Sequence, residues 1–84
     1  MIKSKTWFVY LLRCCDETLY CGITTDIERR IFEHNNTPKG SRYTRSRRPV
    51  SLLGYKKFPD RSTATKEEAR IKKMKRSEKL LLFS

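Results

Sequence analysis

No stretch of the sequence approaches membrane-spanning length, and the apolar run in "TWFVYLLRCC" is broken at Arg13. No small-residue cleavage site follows it, which argues against a secretory signal. The expectation is a cytoplasmic protein with its three cysteines reduced. Cys14 and Cys15 are adjacent and poor disulfide partners, and no Cys-x-x-Cys spacing supports a zinc site on Cys14, Cys21 and His34. Buried small hydrophobes are the better reading of the cysteines. There is no Gly-rich phosphate loop, no His-Glu-x-x-His pair, no serine elbow, and no repeat or low-complexity segment. The reaction classes that depend on those motifs are therefore unsupported.

Acidic residues are also scarce. Nine Asp and Glu stand against twenty Lys and Arg, a formal charge of +11 that attracts polyanions and favours nucleic acid as partner. A basic protein kept soluble by self-repulsion, or one associated with ribosomes, would share that charge. At 84 residues, 37% hydrophobic and 35% charged, the chain reads as one domain able to fold alone.

What is present follows a clear order. "WFVYLLRC", Trp7 to Cys14, has the aromatic and branched composition of a central strand buried on both faces. "CDET" supplies a turn, and "LYCGIT", Leu19 to Thr24, returns as the second arm of a hairpin. Thr25 reads as an N-cap, with Glu28 completing a capping box. In the helix that follows, Ile27, Ile31 and His34 share a side, Arg30 lies at its edge, and Arg29 and Glu33 point away. Residues 35–49, "NNTPKGSRYTRSRRP", read as a loop with five basic groups, no acidic one and a single aromatic, Tyr43. "SLLGYKKF", Ser51 to Phe58, reads as a third strand near an edge, because it carries Gly and paired lysines. A second helix is expected over 62–76, with Ala64, Glu68, Ile71 and Lys75 on one face, then a short terminal helix over 77–83 capped by Ser77.

Several of these fragments, taken in order, resemble the GIY-YIG nuclease domain: "FVY" at Phe8 to Tyr10, "YCG" at Tyr20 to Gly22, "ERRxxxH" ending at His34, and Ala64 four residues before Glu68. "LYCGITTDIERR", "GSRYTRSRRPV" and "EARIKK" look most like the small stand-alone bacterial members. The resemblance spans about residues 7–76. It implies an α+β fold, a three-stranded antiparallel sheet flanked by helices, and a site that hydrolyses phosphodiester bonds with a divalent ion, Mg²⁺ or Mn²⁺. Phe8 and Val9 replace the name-giving Gly and Ile, Cys21 replaces the second Ile, and the Asn that several members carry beyond the glutamate helix has no clear equivalent.

By that resemblance Glu68 would hold the metal, and Arg30 would grip the scissile phosphate with its planar fork. Tyr10 and Tyr20 would bind the attacking water and phosphate, one of them as general base, and His34 would assist proton transfer or orient a phosphate. Gly22 would let substrate or helix approach closely. Lys39, Arg42, Arg45, Arg47 and Arg48 around Tyr43 could follow a phosphate backbone while Tyr43 stacks on an unpaired base. DNA is expected before RNA, with a protein partner possible and no membrane. Each residue taken singly has a structural rival: core packing for the tyrosines, a bulge for Gly22, and an ion pair between Glu68 and Lys72. A catalytically weak nucleic-acid-binding module of the same fold is the alternative function.

Overall fold

A computed structural model describes residues 6–83. Its elements run β1 (Trp7–Arg13), β2 (Leu19–Thr24), α1 (Ile27–Asn36), α2 (Arg42–Arg45), β3 (Ser51–Phe58), α3 (Arg61–Lys72) and α4 (Arg76–Leu82). The strands form one antiparallel sheet in the order β2-β1-β3, so β1 is central and the lysine-bearing β3 lies at an edge, as the composition of each suggests.

Strand alternation separates two cores. Val9 and Leu11 of β1, with Cys21 of β2, face Ala64 and Ile71 of α3, and all five are buried. Tyr10, Leu12 and Cys14 point the other way, against Tyr20, Val50 and Ile31 of α1. The cysteines are free, and Cys14 and Cys21 belong to opposite cores, so they cannot ligate one ion. The register sets Tyr10 beside Gly22 on one neighbour and Tyr55 on the other, with Leu12 opposite Tyr20. A bulge between Leu11 and Leu12 shifts the pairing with β3 by a residue and lets Leu53 join the α3 core.

Four local expectations change. Asp26, not Thr25, caps α1, because its carboxylate accepts from the Arg29 amide at 3.1 Å while the Thr24 hydroxyl accepts from the Asp26 amide. The helix runs on to Asn36, and the expected loop contains the one-turn α2, whose N-cap Ser41 accepts from the Thr44 amide. The 62–76 helix divides: α3 ends at Lys72, and α4 starts at Arg76, its entry fixed by the Glu78 carboxylate on the Lys75 amide rather than by Ser77. Glu33 does not point away, since its side chain is only 15% exposed and lies between Arg29 and Arg30. Among the described residues no helix is long and apolar enough to cross a membrane.

Candidate active site

The α1 face of the sheet gathers most of the polar residues singled out by the sequence. Tyr10 and Tyr20 come from adjacent strands, their ring centres 6.3 Å apart, and α1 lowers His34 onto both, 5.9 and 5.2 Å away. His34 is completely buried. Its Nε2 lies 2.8 Å from the Tyr10 hydroxyl and its Nδ1 2.7 Å from Thr44 Oγ1. Gly22 makes the approach possible: a Cβ there would lie 2.5 Å from Tyr10 Oη, so the missing side chain accommodates the tyrosine itself rather than substrate or helix.

Burial decides the protonation states. It pushes His34 down to about 4, helped by the Arg30 charge and opposed by Glu33, so the ring is neutral near pH 7. His34 therefore meets the tyrosines as a neutral ring, bonded on both nitrogens. Burial likewise holds the Tyr10 phenol well above its ordinary value of 10.0, with the neighbouring Tyr20 acting the same way and Arg30 opposing. Tyr10 is 1% exposed, whereas Tyr20 is only half-buried.

Arg30 borders this set. Its Nη1 donates to Glu33 Oε1 at 3.0 Å and to the Lys39 carbonyl at 2.8 Å, fixing the guanidinium at the edge of α1 with 26% of the side chain exposed. The other N–H groups of the fork remain for Tyr10 and for solvent.

Glu68 stands apart. It belongs to α3, on the far face of the sheet, 20% exposed and paired with Lys72 at 3.5 Å, the ion pair that its spacing also allowed. Its charge reaches Cys21, whose thiol is pushed up to about 12, by burial first and Glu68 second. No hydrogen bond joins Glu68 to the tyrosine set among the described residues. Nor do they contain a cluster of three or more Asp, Glu, His or Cys that could hold a metal by itself.

The basic segment is mostly committed to the fold. Arg48 donates to the His34 carbonyl at 2.5 Å, to the Glu33 carbonyl at 3.4 Å and to the Thr37 carbonyl, closing the C-terminus of α1. Arg45 bonds the Pro38 carbonyl at 3.0 Å. Arg47 pairs with Asp16 at 3.0 Å and covers Tyr43 at 4.0 Å, and Tyr20 stacks on the same ring with centres 5.9 Å apart. Tyr43 is thus held between side chains of the fold while 38% of it stays exposed. Lys39 and Arg42 are exposed, and among the described residues no ion pair takes up their charges.

This division is testable. Arg48→Met is expected to lose at least about 2 kcal/mol of stability, because three helix-end carbonyls lose a charged donor. Arg42→Ala is expected to change stability by under about 0.5 kcal/mol while lowering the salt dependence of nucleic-acid binding by roughly one phosphate contact. Thermal melts and salt-titrated binding on the same samples would contradict the assignment if the two effects were exchanged.

Sequence reasoning missed Ser41 and Thr44, which hold His34 from behind, and Asn35, whose amide brackets Val50 with bonds of 3.1 and 2.7 Å. The signal for the first pair was a Ser three residues before a Thr in a polar run, a cap pattern that the surrounding arginines obscured.

With this geometry, comparison with known proteins becomes informative. A model of the GIY-YIG catalytic domain matches residues 6–80. The chain belongs to the GIY-YIG family. UPF0213 protein DP2720 of Desulfotalea psychrophila is 55% identical over 76 residues, covering 90% of this chain and 69% of that protein. The solution structure of EF2693 from E. faecalis is 44% identical with a TM-score of 0.65, covering 98% of this chain and 86% of that one. The UPF0213 protein BH0048 of Bacillus halodurans, also a solution structure, is 39% identical with a TM-score of 0.57, covering 92% and 81%. The three-stranded α+β fold is thus that of GIY-YIG domains in UPF0213 proteins, and the domain is of nuclease type.

Proposed function

We propose that this GIY-YIG chain is a metal-dependent nuclease that hydrolyses phosphodiester bonds in DNA with little sequence preference. The observation that carries the reading is the gathering of Tyr10, Tyr20 and Arg30 around a neutral, buried His34, with a donor-only cation at the rim and a half-buried phenol beside it.

Phosphodiester hydrolysis needs an aligned water, an acceptor for its proton and stabilisation of charge growing on the phosphoryl oxygens. Arg30 suits the last of these, because its guanidinium is anchored through Nη1 and keeps other N–H groups for an anion. Tyr20 is the more accessible phenol for water or phosphate, its ring held edge-on by His34 and stacked on Tyr43. Tyr10 sits behind it, fixing the edge against which Arg30 rests. Lys39 and Arg42 supply exposed charge for the flanking backbone.

Glu68 supplies one carboxylate on α3, with Glu67 next to it in the chain and Lys72 paired to it at 3.5 Å, and among the described residues no group of three or more His, Cys, Asp or Glu could cage an ion. An ion held there would take most of its ligands from waters and phosphate oxygens. By the family resemblance Glu68 would hold that ion, on the face of the sheet opposite Tyr10 and Tyr20, and the ion when bound would supply positive charge to phosphate oxygens.

The test is cleavage of end-labelled single-stranded, duplex and branched DNA, and of RNA, with Mg²⁺, Mn²⁺ or chelator, beside Glu68→Gln. Cutting of DNA that requires the ion and is lost in the folded variant is the expected result. Salt-sensitive binding with no cutting by the wild type under any condition would contradict it and point to a binding module instead.

A further inference from the structure

Thr44 and Ser41 touch no surface that the nuclease reading uses, yet both reach the one histidine of the chain. Thr44 is completely buried, an unusual place for a hydroxyl unless it is satisfied, and here it is satisfied by His34 Nδ1 at 2.7 Å and Ser41 Oγ at 3.0 Å. The Ser41 amide also points at His34 Nδ1, 3.4 Å away.

A backbone amide can only donate. A proton on Nδ1 would face that N–H directly, so Nδ1 must present its lone pair. Behind the ring, the remaining bonds close consistently around this choice. The Thr44 hydroxyl donates to Nδ1, the Ser41 hydroxyl donates to Thr44 Oγ1, and Ser41 Oγ accepts the Thr44 amide at 3.1 Å. The competing use of the Thr44 proton, a bond to the Ser41 carbonyl, is longer at 3.2 Å.

We propose that Thr44, together with the Ser41 amide, is a positioning residue that holds His34 in its Nε2–H tautomer, so that the imidazole donates to the Tyr10 oxygen and Tyr10 keeps its own proton. The ring nitrogen facing the site is then a donor. It cannot draw the phenolic proton from Tyr10, so Tyr10 is not activated as a base through His34. The one-turn α2 exists in this account to carry a hydroxyl and an amide to the back of an imidazole.

The tautomer is read by nitrogen-resolved NMR of the imidazole at neutral pH, where a single histidine removes any assignment problem. The expected wild-type spectrum has Nε2 protonated and Nδ1 pyridine-like but hydrogen-bonded. Thr44→Val, nearly the same shape without the hydroxyl, is expected to move the Nδ1 resonance toward its unbonded position and to lower kcat roughly tenfold or more with KM little changed. Thr44→Ser is expected to restore both. A proton on Nδ1 in the wild type, or an Nδ1 resonance unchanged in Thr44→Val, overturns the proposal. The wild-type spectrum decides the tautomer even if the valine variant does not fold. The effect on cleavage rests on the nuclease reading, but the tautomer does not: the expected spectrum in a protein that cuts nothing would overturn that reading alone.

Discussion

Replacing Arg30 by alanine is expected to slow cleavage at least about 100-fold, the usual cost of removing one preorganised donor from a developing oxyanion. Folding should suffer far less. Arg30 is a quarter exposed, and Glu33, the carboxylate it leaves behind, still has Arg29 at 3.3 Å. The loss of a partly exposed pair and of the bond to the Lys39 carbonyl should cost about 1 kcal/mol. Arg30→Lys should recover less than a tenth of the wild-type rate, because an ammonium cannot bond Glu33, Lys39 and a phosphate from one plane. Single-turnover rates with melting curves on the same preparations check this. A rate within about threefold of wild type for the folded alanine variant would remove Arg30 from the chemistry.

The second large effect is on stability against pH. His34 binds its proton at 6.5 when exposed but at about 4 in the folded protein, held down by burial and by Arg30 and Arg48, with only Glu33 opposing. Between those values the unfolded chain holds more protons than the folded one, so stability rises with pH across this window. The full folded-state stability is present above about pH 6.5 and is lost progressively toward pH 4, by about 3 kcal/mol. The acidic groups with resolved shifts, Asp16, Glu33, Asp60 and Glu67, are all held below their ordinary values of 3.8 and 4.5, so they begin to lose stability only toward the acidic end of the His34 window. Denaturant unfolding from about pH 7.5 to about pH 5.5 should therefore show a slope that belongs to His34, steepened by the carboxylates below that. A flat profile would mean that the imidazole is solvated, and with it the Tyr10 bond would fall.

How much of this was legible beforehand depends on what each signal measures. The strands were readable because β1 is apolar on both faces and β3 carries the Gly and lysines of an edge. The approach of Arg30 and His34 to the tyrosines followed from helical spacing after a short hairpin connection. Spacing could not tell which face of the sheet α3 would cover, and so could not foresee that Glu68 packs behind β2 while the tyrosines stand in front. Nor could it foresee the partners of the arginines within the fold. Charge density in a linear stretch suggests a surface for phosphate, yet Arg45, Arg47 and Arg48 turn to carbonyls and to Asp16, because the end of α1 and the turn before β3 leave backbone acceptors that need donors. Asp26 won the cap over Thr25 by a one-residue shift that local chemistry allows equally well.

Whether the Tyr20 phenol performs chemistry or only packs is decided by Tyr20→Phe. Phenylalanine keeps the edge contact with His34 and the stacking on Tyr43 and removes a single oxygen from a half-buried side chain. The single-turnover cleavage rate is expected to fall at least about tenfold with the melting temperature unchanged. A variant that cuts at the wild-type rate would contradict it and return Tyr20 to the core.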